Sequence, residues 1–448
     1  MPKLVLANPQ SRAMVARPED IPVESRPIYE VIGTRMLWSL DSDDIAVIPA
    51  EIDKDFLAYL TAILDLPDGG PTVLSLRDYR SPSWYPDENP ELVDELRARI
   101  TAGGDWTLDC YIRDRDVAHW EQRLGLAVTP TPYAQDLAAL MNSKVVFRAL
   151  ALAAGVPVPE GLVVDPGREL IDAVTALLPK TGSVIVKQDH NAGGDGNVLV
   201  TTDPSVPGIG VFRTLRLDEP SRAAVTAGIA TLGLAEFPTL HPGTAAARLI
   251  VEVYQPDALT LSSELYIPAD RAPVLLNYGD MRMEPVWNGY VFPPQDLAGT
   301  LHARLCADSQ QIAVLAQHMG YQGLMNIDAI VDSSGRLSFT EFNGRAGGAT
   351  NIDVIARRLL GPTYLDEYVI MTRNGLPAPR VAELVEHLGR TGLAFDRGTR
   401  SGVIVANVDA RGTIEYLAIG RDRAQAQEFE HGLEALLETV ARPGEGEG

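Results

Sequence analysis

Through the first 140 residues, short apolar runs alternate with amphipathic stretches. The runs at Lys3–Ala7, Asp44–Pro49, Thr72–Leu76 and Trp106–Ile112 predict strands, and the patterns at Lys54–Leu66, Pro90–Thr101 and Asp116–Leu126 predict helices between them. Such alternation predicts a parallel, doubly wound α/β sheet. A dinucleotide fingerprint would place GxGxxG after the first strand, but that strand runs instead into Asn8-Pro9-Gln10.

The pattern breaks at Thr129-Pro-Thr-Pro-Tyr133 and resumes with a predicted helix over Met141–Ala154, ended by Gly155 and the extended Pro157-Val-Pro159. From Gly182 onward, period-two runs dominate and pair as hairpins. Ser183–Gln188 and Asn197–Thr202 flank a glycine-rich loop, and Leu249–Tyr254, Ser263–Ile267 and Val274–Tyr278 are further strands. A helix over Gly299–Met319 leads to a hairpin, Leu324–Val331 with Arg336–Asn343, turning at Asp332–Gly335. The chain closes with a hairpin (Ser401–Asn407, Thr413–Ile419), a helix (Arg423–Val440) and a polar tail expected to fray.

Composition narrows the function classes. With 448 residues and 46% hydrophobic content the chain can build several cores, and no apolar run approaches the ~20 residues of a membrane span. The N-terminus lacks a signal-peptide layout and the two cysteines, Cys110 and Cys306, lie far apart, so a cytoplasmic protein without a disulfide scaffold is expected. A net charge of −22 disfavours nucleic acid as a partner. Only five of the 38 basic residues are lysines (Lys3, Lys54, Lys144, Lys180, Lys187), which marks each for a role needing a compact ammonium.

The loop after Lys187 contains Gly193, Gly194 and Gly196, whose unhindered backbone N–H groups can approach phosphate oxygens; an ordinary hairpin turn uses the same residues. The hairpin Asn326-Ile-Asp328 … Glu341-Phe-Asn343-Gly-Arg345 carries acids on one face. A tight turn pairing Val331 with Arg336 would set Asn326 opposite Glu341, with Asp328 diagonal to it at about 7–8 Å. Two carboxylates and an amide oxygen suit Mg²⁺, although a solvated polar face reads the same way. Glu252 interrupts a buried-looking strand before Gln255 and Pro256, where its carboxylate could accept from an adenine amino group while backbone groups such as those of Val253 and Gln255 finish base recognition. An edge-strand charge is the plainer alternative. Asn142-Ser143-Lys144 opens a helix whose N-terminus and lysine favour phosphate, unless Lys144 is a surface charge.

The order Lys144, Lys187 with its glycine loop, Glu252, Asp328, Glu341-Phe-Asn343-Gly-Arg345 resembles the ATP-grasp superfamily over residues 125–375. The resemblance implies a multidomain α/β and α+β protein: an N-terminal doubly wound pre-ATP-grasp domain (1–128), an ATP-grasp fold in two subdomains (129–255 with the glycine loop, 256–375 with the metal site) and a small C-terminal α+β domain (376–448). It implies ATP and Mg²⁺ as cofactors, with Mn²⁺ as a substitute. Lys144, Lys187 and the loop glycines would hold phosphate, Glu252, Val253 and Gln255 adenine, and Glu264 would lie near the ribose. Asp328, Glu341 and Asn343 would bind metal, and Arg345 would lie near an acyl phosphate, with Arg282 a second candidate there or a surface arginine.

Asn326 stands where D-Ala–D-Ala ligases carry Arg, which disfavours that subfamily. The Asn343–Gly348 continuation and the terminal domains look like carboxylate–amine ligases, specifically those joining an unusual guanidino amino acid to the N-terminus of a peptide in natural-product biosynthesis. The expected partners are a small carboxylic amino acid and a peptide acceptor, with a homodimer left open and no nucleic acid or membrane. A ligase of a free amino acid or another small acceptor, and a nucleotide-binding protein without turnover, are the rival readings.

Overall fold

The computed structural model describes residues 1–11, 13, 26–67, 70–81, 83–102, 105–126, 131–190, 196–232 and 248–440. Gly193, Gly194 and the C-terminal tail lie outside them. The first sheet is four-stranded and parallel, ordered β3-β2-β1-β4 from β1 (Lys3–Leu6), β2 (Ile45–Ile48), β3 (Thr72–Ser75) and β4 (Thr107–Cys110). Leu4, Val5 and Leu6 with Ala46, Val47 and Ile48 are wholly buried, as central strands covered on both faces must be. Helices Lys54–Leu64, Pro90–Ala102 and Arg115–Leu124 fall where the apolar periodicity predicts them. Asp53 and Asp114 cap the first and last by accepting from Phe56 and Val117 N–H.

The second sheet has order β5-β9-β6-β7-β8, from β5 (Gly161–Val164), β6 (Ser183–Gln188), β7 (Asn197–Thr201), β8 (Arg213–Arg216) and β9 (Leu249–Val253). Val184, Val186, Val251 and Val253 pack against Leu170, Val174 and Leu177 of helix Arg168–Thr181. Strand alternation turns Lys187 and Glu252 to the opposite face.

The third sheet is eight-stranded, ordered β14-β13-β10-β11-β12-β15-β17-β16. Its members are β10 (Leu259–Ile267), β11 (Val274–Met283), β12 (Trp287–Phe292), β13 (Gly323–Val331), β14 (Leu337–Asn343), β15 (Val369–Pro377), β16 (Gly402–Val408) and β17 (Thr413–Gly420). Helix Gly299–His318 fills one side with Leu305, Ile312 and Ala316. The C-terminal hairpin β16–β17 extends this same sheet through β15. The N-terminal unit joins it through a shared core and through Trp38, which donates to the Ala406 carbonyl at 2.7 Å.

Several elements escape the sequence pattern: helices Arg26–Thr34 and Arg168–Thr181, and strands β5, β8, β12 and β15. In β12, Gly289 is needed because any side chain there would strike the β15 backbone at Thr372.

Candidate active site

The site lies where helix Lys144–Ala153, strands β6 and β9, and the hairpin β13–β14 converge. Ser143 caps the helix, accepting from Val146 N–H at 3.1 Å. The Asp189 carboxylate, just after β6, accepts from the Ser143 hydroxyl at 2.7 Å and the Val145 N–H at 3.0 Å. Burial alone would raise its pKa, but these donors and His190 hold it below the usual carboxylate range. This corrects one expectation: the N-terminus of the helix is already occupied by an acid of the protein, and only the Lys144 side chain extends into the site. Lys144 is buried, with its ammonium 3.1 Å from Glu341.

Hairpin β13–β14 differs in register from the tight-turn expectation. Arg336 remains in the turn, because its N–H and that of Ser334 bond to the Asp332 carboxylate, and Val331 pairs with Leu337. A bulge between Asp328 and Ala329 then shifts the ladder once more. Asp328 therefore stands directly opposite Glu341, and Asn326 opposite Asn343. Ser262 on β10, the partner of Asp328 on the other side, donates to its carboxylate at 2.8 Å. Burial and, second, the Glu341 charge push the Asp328 pKa up to about 7. Burial acts on Glu341 too, but Lys144 and Lys187 outweigh it and hold that carboxyl below its usual range.

Asn343 accepts from Arg345 at 3.1 Å, and Arg345 also donates to the Tyr111 hydroxyl at 3.1 Å and lies over that ring. Tyr111 follows β4, so the N-terminal unit reaches the site; nothing in its sequence context marks it. Lys187 and Glu252 meet at 2.8 Å, and Arg148, unmarked in the sequence, donates to the other Glu252 oxygen at 2.7 Å. Glu252, expected to accept from adenine, is thus engaged by two cations. Gly196 closes the loop by accepting from Gln188 N–H at 3.2 Å.

Two expected residues are engaged by partners of the protein itself. Arg282 is held by Glu430 of helix Arg423–Val440 and by the Thr372 carbonyl, because β11 carries it beneath the C-terminal helix and away from the acids. Glu264, expected near a ribose, is fully buried in β10 opposite Asn326, accepting from Asn277 at 2.7 Å and from Thr350. Burial raises its pKa to about 7. Val253 and Gln255 line a cavity of about 160 Å³ with Ile330, Ser338, Lys180 and Arg336. Ile330 is two residues beyond Asp328, so the cavity and the acids lie along one face of the hairpin.

Among the described residues no group of three or more His, Cys, Asp or Glu is arranged to hold a metal. The donor set here is two facing carboxylates plus the Asn343 amide oxygen, all hard oxygens, and it fits Mg²⁺ better than a softer ion.

A family model for the pre-ATP-grasp domain matches residues 33–126, and one described as the PGM1 C-terminal domain matches residues 383–433. Solved structures align over nearly the whole chain. They include the N5-carboxyaminoimidazole ribonucleotide synthetase from Thermus thermophilus (12% identity, TM-score 0.54, 99% of this chain and 100% of that one). An L-amino acid ligase from Bacillus licheniformis aligns at 12% identity and TM-score 0.53, covering 97% of each chain. An Aspergillus clavatus N5-carboxyaminoimidazole synthase, in complex with ADP and 5-aminoimidazole ribonucleotide, aligns at 10% identity and TM-score 0.54, over 98% of this chain and 99% of that one. No curated protein sequence matches. The fold is that of the ATP-grasp ligases. Within it, the chain combines a pre-ATP-grasp domain, the two sheets that flank the cleft, and a C-terminal hairpin and helix of the PGM1 type. No helix among the described residues is long and apolar enough to cross a membrane.

Proposed function

We propose that the protein is an ATP-dependent carboxylate–amine ligase that joins an amino-acid carboxylate to the amine of a peptide, releasing ADP and phosphate. The observation that carries this reading is the meeting of Asp328, Glu341, Lys144 and Lys187: paired hard-oxygen carboxylates beside two buried lysines suit a metal-bound polyphosphate. The base would occupy the cavity beside Val253 and Gln255, placing phosphates toward the acids along the hairpin. Asp328, Glu341 and Asn343 would hold Mg²⁺, which supplies charge neutralisation on the phosphate oxygens when bound.

A substrate carboxylate oxygen attacks the γ-phosphorus and ADP leaves. The amine nitrogen then attacks the acyl carbon, loses a proton and expels phosphate. Lys144 and Lys187 offset phosphate charge in the first step, and Arg345 stabilises the oxyanion in the second. The finer reading, from the resemblance of the chain, is an enzyme like the peptide ligase of pheganomycin biosynthesis, acting on a guanidino amino acid and the N-terminus of a peptide.

Incubation with Mg-ATP, a pool of carboxylic amino acids and a pool of short peptides, read by mass spectrometry with Lys187→Ala as the blank, tests the proposal. ADP together with a mass equal to acid plus peptide minus water supports it. AMP with pyrophosphate would refute the acyl-phosphate route, and coupling only to free amino acids would replace the peptide acceptor with a small one.

A further inference from the structure

Arg148 lies one helical turn after Lys144 and is buried. Its guanidinium donates to the Glu252 carboxylate at 2.7 Å, to the Pro159 carbonyl at 3.0 Å and to the Gly161 carbonyl at 2.8 Å. The remaining Glu252 oxygen holds the Lys187 ammonium at 2.8 Å. One buried carboxylate therefore ties the helix that carries Lys144 to the strand that carries Lys187. The approach is tight. At Gly161 a side chain would overlap the Val251 carbonyl and the Glu252 side chain, so the Arg148 fork and Glu252 can meet only because that residue is glycine.

We infer that Arg148 and Glu252 form a brace that positions Lys187, relative to Lys144, for binding nucleotide phosphate. Glu252 acts as the pivot of the brace and not as an acceptor for the base. The inference rests on the proposed nucleotide site. Its physical basis is that arginine presents several donors in a rigid fork, so it can fix one carboxylate and two carbonyls at once, whereas lysine is a single mobile charge. Without the fork, Glu252 would keep its charge but lose its orientation, and Lys187 would follow it.

The test is a double-mutant cycle on nucleotide affinity. Binding of a fluorescent ATP analogue with Mg²⁺ is titrated against the wild-type chain, Arg148→Ala, Lys187→Ala and the double variant, with Arg148→Lys in both backgrounds in case Arg148→Ala fails to fold. Either Arg148 variant should weaken binding at least about fivefold in the wild-type background and less than about twofold once Lys187 is gone, the size of coupling expected within one buried network. Added guanidinium ion should restore part of the affinity of Arg148→Ala. Equal losses in both backgrounds, or a folded variant with wild-type affinity, would overturn the brace. Failure of the wild-type chain to bind the analogue would instead overturn the nucleotide site on which the brace depends.

Discussion

Asp328 and Glu341 face one another directly across hairpin β13–β14, yet the protein treats them oppositely: burial and its neighbour raise the Asp328 pKa to about 7, while the lysines keep Glu341 ionised. Such a pair gains from a divalent cation, because the cation offsets both the burial and the repulsion that raise the Asp328 pKa.

Glu341→Gln should abolish this advantage. Product formation should fall by about 10²-fold or more, the scale of losing an electrostatic group in a dry site, while nucleotide analogue binding falls far less. Parallel turnover and titration assays check both. A binding protein without turnover would show only the affinity change.

Ser262→Ala removes the donor that orients Asp328 from the neighbouring strand. The Mg²⁺ concentration needed for half-maximal rate should rise roughly tenfold, as for other residues that orient metal ligands, with the rate at saturating Mg²⁺ changed much less. A Mg²⁺ titration of the rate reads the split.

Stability should fall as pH rises from about 4 to about 7. Burial raises Asp114 to about 6 and Glu264 to about 7, so the folded state binds these protons more tightly than the unfolded chain, and the stability they contribute at low pH is lost as pH passes through those values. Glu264→Gln should flatten the decline by on the order of 3 kcal/mol. Urea midpoints across the range for both proteins measure it, and equal slopes would contradict the assignment.

Arg282→Ala should destabilise the fold and leave the chemistry intact. It strands Glu430, which is buried against Tyr416, at a cost of about 3–5 kcal/mol. Thermal melts should shift down while kcat at a permissive temperature stays near wild type. A selective loss of kcat without a melting shift would restore the catalytic role that the sequence alone suggests.

A methyl group at Gly347 would overlap the Asn326 amide, which lies two residues before Asp328 on the same strand. Gly347→Ala should therefore cost about 1–3 kcal/mol of stability, by overpacking, and reduce turnover as well. Denaturation and turnover measured on one preparation separate the two effects.

Much of this protein is written in local pattern. Continuous apolar runs set the buried parallel strands of the N-terminal sheet, period-two runs set the hairpins, and the scarcity of lysine leaves only five candidates, from which motif order picks out Lys144 and Lys187 without reference to geometry. The acids Asp328 and Glu341 and the amide of Asn343 are legible in a similar way, since strand alternation places residues on faces whatever the rest of the fold does. Three things depended on tertiary structure. The direct pairing of Asp328 with Glu341 came from a side-chain bond in the turn and a bulge, which shift register by single residues without changing the hydrophobic pattern. The true partners of Arg282 and Glu252 came from elements far away in sequence, and a charged side chain carries no local mark of which opposite charge it will meet. Tyr111 and Arg148 were invisible because their roles exist only where domains converge: a tyrosine after a strand and an arginine within a helix are ordinary until packing brings Arg345 and Glu252 against them.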